Sequence, residues 1–539
     1  MRYHLFLKIF LEWIILGIFF FLVITTFISC YGSEEVSRLN GEEIEQEKSV
    51  DNGDLEVKVA TTRPGSGVVW GNAQVKTPSA ATPATPAAKP VLPSPAPALP
   101  VPSTASSHLT AAPTKPNLPK NTTEKYLLKS GRQKGMTDLV ETLLEVTGEA
   151  VQVNSDLKET KEKMEVVAGF RYEERVEQFS QTNQLSSARQ YNLAKSKMKV
   201  GESVRMPELS SELQTIVCTL DKDKVSLFSP HGSLRGEQLL LIEDIPGNTL
   251  TLDRLLPNTE MAIGESWKIG DAVLRSFLSV DAVLSSNVEA VLTAVVDNMA
   301  MIEVVGDVNG VYLGATTEIS MRAKLQFDLS IQRINWLGAM IEENRSIGHV
   351  GPGVELVAKL QVKISPLDSP QSLTDTVMKK IVTKPNPSVL QLKYDGGKGP
   401  WRFSHDRSWY IYQDDSQTTV LRRLENGDLI AQCNIADMGT VDLKTMTTLA
   451  KFQQDLIVGL GNNFGTVVSA REYENERGYK IYKVLLDGTV DDLSLRWLYH
   501  LVTDKTGRQS IVVFVVEAAM FDQFANTDDV LLETYRMGQ

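Results

Sequence analysis

The chain has 539 residues, a formal net charge of −12 and three cysteines. That length allows two or three domains, each with a core of its own. The acidic balance speaks against a nucleic-acid surface, which needs clustered Lys and Arg, and so few cysteines rule out a disulfide scaffold. The first thirty residues are the most informative. Arg2 and Lys8 give a basic start, an apolar run follows from Trp13 to Ile28, and Ser29-Cys30 closes it. These are the parts of an export signal. Phe27-Ile28-Ser29-Cys30 is similar to a bacterial lipobox, with Phe27 where Leu, Val or Ile is usual, which makes Cys30 the lipidation candidate. Two other outcomes stay open. The segment is left uncleaved as a membrane anchor, with Leu5–Leu11 extending it and Glu12 near the interface, or it is simply cleaved. In all three the remaining chain lies outside the cytoplasm, periplasmic or at the cell surface.

Residues 31–133 read as a disordered tether, first acidic (GEEIEQEK, DNGDLE), then rich in Pro and Ala. About half of the 23 prolines fall between Lys76 and Lys120. Proline lacks the backbone N–H and fixes φ, so this stretch prefers extended polyproline II. Forty-odd residues at ~3.1 Å each reach on the order of 100 Å, a spacer between membrane and fold.

Residues 134–365 are expected to form a β-rich antiparallel region. Met136–Leu144 spaces Met136, Leu139, Val140, Leu143 and Leu144 as one helical stripe and predicts a short amphipathic helix. Glu318–Asp328 alternates without a break, and Leu356–Ile364 repeats the pattern, as strands buried on one face do. Asn309-Gly310 offers a hairpin tip. Ala290–Ser365 therefore reads as an antiparallel meander. Before it, Asp271 is expected to cap a helix carrying Val273, Leu274, Phe277 and Leu278. Val200-Gly-Glu-Ser-Val204 and Ile263-Gly-Glu-Ser-Trp267 echo one another as turns feeding strands. A curved sheet holding a helix could enclose an apolar ligand.

Pro366–Pro387, within a linker over 366–393, precedes the last region, 394–539. There Trp401–Phe403 and Trp409–Tyr412 read as strands, and Thr418–Leu424 and Leu429–Ile435 as a hairpin across Glu425–Asp428. A helix follows over Thr447–Leu460. Four strands run through 466–473, 479–486, 493–503 and 509–516, with a turn at Asp504–Gly507 and a closing helix around Phe521–Tyr535. Antiparallel strands with two packed helices make an α+β sandwich.

On Phe403, Trp409, Leu429–Asn434, Phe452–Asp455, Trp497–Tyr499, Asp504 and Gly507-Arg508, the segment from Trp401 onward resembles the PsbP-like fold. With Ile347–Val350, Pro352-Gly353 and Leu360–Ser365, the chain from about Ala150 resembles uncharacterised exported bacterial proteins. The resemblance implies an α-β-α sandwich for the last region and a non-catalytic assembly or binding role, and it carries over no site residues. The expected fold class is therefore α+β, a curved β meander followed by that sandwich.

No constellation of residues identifies a reaction. The six histidines are scattered, without metal-ligand spacing. Gly459–Gly465 follows a helix instead of opening one, so it is a cap and turn and no phosphate loop. Cys433 sits inside an alternating strand as a small hydrophobe. His349 is expected in loop hydrogen bonding, His405-Asp406-Arg407 in turn packing, and Trp401, Trp409 and Trp497 in the core. The expectation is a non-enzymatic, membrane-tethered binding or structural module of the cell envelope. It needs no catalytic residue, metal or cofactor. Its partners are the membrane, through the N-terminal segment, and envelope proteins or an apolar ligand, not nucleic acid. The alternative is a carrier of an apolar ligand or lipid in the β-rich region.

Overall fold

The computed structural model describes residues 124–538, except 154–157, 180–183, 222–223, 382–384 and 396. The export segment, Cys30 and the Pro/Ala-rich stretch lie outside the described residues. Part of the stretch expected as tether is built into the fold: β1 (Lys125–Leu127) pairs with β8 (Glu260–Ala262), and Leu128 is fully buried.

One antiparallel sheet of 13 strands dominates the first region. Its N-terminal half is β2 (Thr137–Val153), β3 (Glu159–Phe179), β4 (Gln184–Val200), β5 (Ser203–Arg205), β6 (Thr215–Asp221) and β7 (Lys224–Phe228). After β8 come β9 (Ser266–Lys268), β10 (Ala282–Ser286), β11 (Glu289–Val296), β12 (Met299–Tyr312), β13 (Ala315–Asp328), β14 (Arg333–Arg345) and β15 (Gly353–Leu367). The two halves are joined by β2 against β15, along 15 register pairs from Thr137↔Leu367 to Val151↔Gly353. On β13, Ile319, Met321, Ala323, Leu325 and Phe327 are buried while the residues between them are largely exposed, as the alternation predicts.

The buried face packs on helices inserted between β7 and β10. These are α1 (Gly236–Glu243), α2 (Thr249–Leu252) and α3 (Asp271–Leu278), whose Leu239, Ile242, Leu250, Leu252, Leu274 and Phe277 share one core with the sheet. Between α1 and α2 the backbone rests directly on the sheet. Gly247 has φ +81, and a Cβ there would lie 3.0 Å from Leu360 and 3.4 Å from Leu337.

Several local expectations are corrected. Thr137–Leu144, nearly all of the expected helix, is strand, because it lies in β2 between β3 and β15. Val140, Thr142, Leu144 and Val146 of β2 also alternate, and β-branched side chains suit a two-sided ladder. Asn309-Gly310 is inside β12; the hairpin tip is Leu313-Gly314, with φ of +48 and +77. The N-cap of α3 is Gly270, which puts Asp271 in the first turn. Part of the expected linker is docked on the first region. Leu373 is fully buried, and the Glu173 carboxylate accepts the backbone N–H groups of Gln371, Ser372 and Leu373.

Within this stretch lie α4 (Asp375–Met378) and α5 (Pro387–Leu390). Then β16 (Leu392–Tyr394) and β17 (Trp401–His405) form a small sheet with the terminal β25 (Arg536–Met537). The main sheet has seven strands, in the order β18-β19-β20-β24-β23-β22-β21. They are β18 (Trp409–Asp414), β19 (Thr418–Glu425), β20 (Asp428–Thr440), β21 (Phe464–Glu474), β22 (Lys480–Val490), β23 (Leu493–Thr503) and β24 (Arg508–Glu517). On one face α6 (Leu449–Leu460), capped by the Thr448 hydroxyl, places Phe452, Leu456 and Leu460 against Tyr482 and Trp497. On the other, Trp401, Trp409 and Phe514 meet Phe524 of α7 (Phe521–Phe524) and Leu531 and Leu532 of α8 (Thr527–Thr534). The closing helix thus breaks in two at Ala525, whose φ is +50.

The expected fold class does not hold. Strands take 58% of the described residues and helices 16%, in mostly antiparallel sheets without a clear α-β-α sandwich. The physical reason is helix length. Segments of 12, four and eight residues cannot cover both faces of strands of up to 13 residues, so helical patches form instead of layers.

Candidate functional site

Chemistry-bearing side chains gather where the first region meets the second. Two acidic residues close α1, Glu243 and the C-cap Asp244, at the negative end of the helix dipole. Asp281 lies just before β10. Tyr312, at the end of β12, donates its hydroxyl to Asp244 Oδ2 at 2.7 Å, and the Leu313 N–H meets Asp281 Oδ2 at 2.5 Å. The Arg345 guanidinium stacks on the Tyr312 ring, 4.4 Å from its centroid.

From the second region comes the turn between β17 and β18. Asp406 Oδ1 accepts the Ser408 N–H at 2.9 Å and shapes that turn. Arg407 leaves it to donate from Nε to Leu390 O (2.9 Å) and from Nη2 to Leu227 O (2.7 Å). Beside it the Lys393 N–H reaches Leu234 O at 2.8 Å, and Arg235 pairs with Asp395 at 2.6 Å. Further along, Arg422 donates to His349 O and lies over the Tyr412 ring. The hairpin tips Leu313-Gly314 and Asn426-Gly427 touch there, so closely that a Cβ on Gly314 would lie 2.3 Å from Gly427 O.

Crowding shifts these groups. Desolvation, helped by the Asp244 charge and opposed by Arg407 and Lys224, raises the half-buried Glu243 to about 7. Desolvation by neighbouring groups pushes Asp244 upward against the Tyr312 hydrogen bond and Arg345, but the residue is exposed and solvent screens much of that shift. Asp281 is raised in the same way. His349 is lowered by desolvation and by Arg422, so it is neutral at pH 7.

A second cluster stands between the seven-stranded sheet and α8. Lys483 Nζ binds Asp528 (2.5 Å) and Asp529 (2.9 Å), and His500 Nε2 meets Asp528 at 3.0 Å. Burial lowers His500, so the ring is neutral and Nε2–H is the donor; its Nδ1 is left without a hydrogen-bond partner. Burial pushes Asp528 up, but the bonds from His500 and Lys483 bring it to about 2. The ligand atoms of His500, Asp528 and Asp529 lie within 4.8 Å of one another, the spacing of a metal site. The Lys483 ammonium bridges the two carboxylates and Arg471 reaches Asp529 at 3.7 Å, so side chains balance the charge of this donor set and it does not call for an ion.

The residues singled out in the sequence fall into structural places. Cys218 and Cys433 are fully buried and burial raises both thiols, away from nucleophile behaviour. His405 is buried, with Nδ1 2.9 Å from Asp406 O. Trp401, Trp409 and Trp497 are core. Gly461, with φ +52, caps α6, as the turn reading of Gly459–Gly465 requires. Glu243, Asp244 and Asp281 were not legible as a group. The one available signal was an acidic pair at a helix C-terminus, where the dipole disfavours negative charge.

No family model matches the chain, and no curated protein does. Among solved structures it is similar to cyanobacterial PsbP (CyanoP) from Synechocystis sp. PCC 6803, at 12% identity, covering 29% of this chain and 98% of that one, with a TM-score of 0.22. It is also similar to a lipovitellin, at 7% identity over 44% of this chain and a TM-score of 0.26, and spans about a quarter (26%) of that chain. Likenesses this slight carry no function to this chain.

Proposed function

We propose that the chain is an exported, membrane-tethered binding or structural module of the bacterial cell envelope that performs no catalysis. The observation that carries this reading is the commitment of its reactive side chains. The two thiols and the His405 and His500 rings are buried, and Arg407, Asp406 and Lys483 are engaged in holding elements together. The export motif at Cys30 and the Pro-rich stretch supply the tether, and the motifs quoted above keep the chain beside exported bacterial proteins. The test is the intact mass of membrane-extracted protein against a Cys30→Ala form. A chain starting at Cys30 with acyl groups, lost in the variant, supports a lipoprotein; full-length unmodified mass supports an uncleaved anchor. A soluble chain without either overturns the tether.

A second reading, a carrier of an apolar ligand, is favoured by one surface. Register places Ala358, Val146, Val166 and Met198 in one row and Leu356, Gly148, Met164 and Val200 in the next, on the face that packs the helices elsewhere. Apart from buried Ala358, these residues remain half-buried. Solvent extraction of the purified protein decides: a stoichiometric lipid supports the carrier, and none removes it.

A further inference from the structure

We propose, resting on the carrier reading, that the bare end of the apolar face binds one long-chain fatty acid, its tail laid across the sheet and its carboxylate at Arg205. The helical insert does not cover the whole sheet. The backbone around Gly247 sits on Leu360, and Leu360, Leu144 and Ala168 form a buried row. In the next row on the same face, Ala358, Val146, Val166 and Met198 lead to Arg205 of β5, which stands opposite Met198. The row of Leu356, Gly148, Met164 and Val200 runs alongside, and beyond it Val354 and Ala150 are buried again. Same-face neighbours along a strand lie ~7 Å apart, so the furrow between these two rows takes one acyl chain. Neighbouring strands lie ~4.8 Å apart, so from β15 to β5 the furrow runs roughly 19 Å, the length of an extended long-chain fatty acid. A tail lying there gives apolar cover to side chains that the insert leaves half-bare.

The two ends of the furrow differ in charge, and this sets the direction of the ligand. On the β14 side the first row meets buried Ile341 and the second meets Glu343, which accepts the Thr317 hydroxyl at 2.9 Å and lies 3.7 Å from Arg345. A carboxylate is disfavoured beside that acid. At the other end Arg205 is exposed and has no acidic partner among the described residues. Its guanidinium offers a fork of N–H donors that matches a carboxylate. Glu162, an acid on the same face, lies two rows away beside Gly201. The head therefore belongs at β5 and the tail toward β15.

Photolabelling of the full chain in phosphatidylcholine vesicles tests this, with a diazirine derivative of palmitic acid and its methyl ester as probes. The acid should label the wild type saturably on the tryptic peptide 164–171, which carries Met164 and Val166. The ester should need a concentration about fivefold higher, the upper range for an exposed ion pair, and Arg205→Gln should bring the acid to the ester's level. Val166→Asp puts a charge on the floor of the furrow and should abolish the labelling. Val167→Asp makes the same change on the opposite, exposed face and should leave it unaltered. Equal labelling by acid and ester, or no effect of Arg205→Gln, overturns the fatty-acid assignment while the carrier reading stands. No saturable labelling by either probe overturns both. Labelling that survives Val166→Asp, or that Val167→Asp removes as well, overturns the placement of the ligand in the furrow.

Discussion

The two regions bury charge in different ways. The first encloses an ionic hub among its helices and sheet. Glu174, fully buried on β3, accepts from Arg189 Nε (2.8 Å), Arg132 Nη2 (3.2 Å), Ser187 (2.8 Å) and Thr249 of α2 (2.9 Å). Asp138, equally buried on β2, pairs with Arg132 and Arg333. Burial alone would raise Glu174, but Arg189 and Arg132 hold it at about 2. The second region keeps its cluster nearer the surface, where Lys483 is 14% exposed and Asp529 39%. A charge with no access to water depends on its ionic partners, whereas one at the margin lets solvent complete its shell. The hub also ties α2 to the sheet, so breaking it should loosen the helical insert as well as the ion pairs.

That contrast can be broken or sharpened experimentally. Removing the hub charge should have the largest effect. Glu174→Gln leaves Arg132 and Arg189 without their shared carboxylate, and chemical denaturation should show a loss of about 3–5 kcal/mol. A loss under 1 kcal/mol would mean that water already reaches the hub. Lys483→Met strands the buried Asp528 but leaves it the His500 bond and a nearby solvent margin. Its cost should be smaller, about 2 kcal/mol in the same measurement.

Acid should act on both clusters in the same direction. Glu174 and Asp528 have depressed folded values, so their stabilisation is present above the unfolded carboxylate range near 4 and is lost as pH falls from there through 2. Denaturation midpoints between pH 5 and pH 2 should decline in the wild type and less steeply in Glu174→Gln. Smallest is a change away from either cluster. Thr448→Ala removes the hydroxyl that accepts the Lys451 N–H at 3.2 Å and should cost ~1 kcal/mol.

Much of the fold was legible where one face of a strand meets water. The alternation of Glu318–Asp328, the Asn426-Gly427 hairpin and the strand Leu493–Thr503 were all readable from spacing alone. Met136–Leu144 misled because its apolar residues satisfy helical and strand periods together, and only the neighbours β3 and β15 choose between them. The meeting place of the two regions was hidden for a related reason. Glu243, Asp281, Tyr312 and Arg407 are far apart in the chain and each looks like an ordinary surface residue.

By itself the sequence determined what is local: the turn chemistry of Asn426-Gly427 and the alternation that puts one strand face inside. Those depend on backbone chemistry and nearest neighbours. Only the tertiary structure decided the 13-strand order, the docking of residues 371–373 on Glu173, the ionic hub and the carboxylates where the two regions meet. Each of these depends on which distant groups share a desolvated space, and burial rather than residue type then sets the electrostatics.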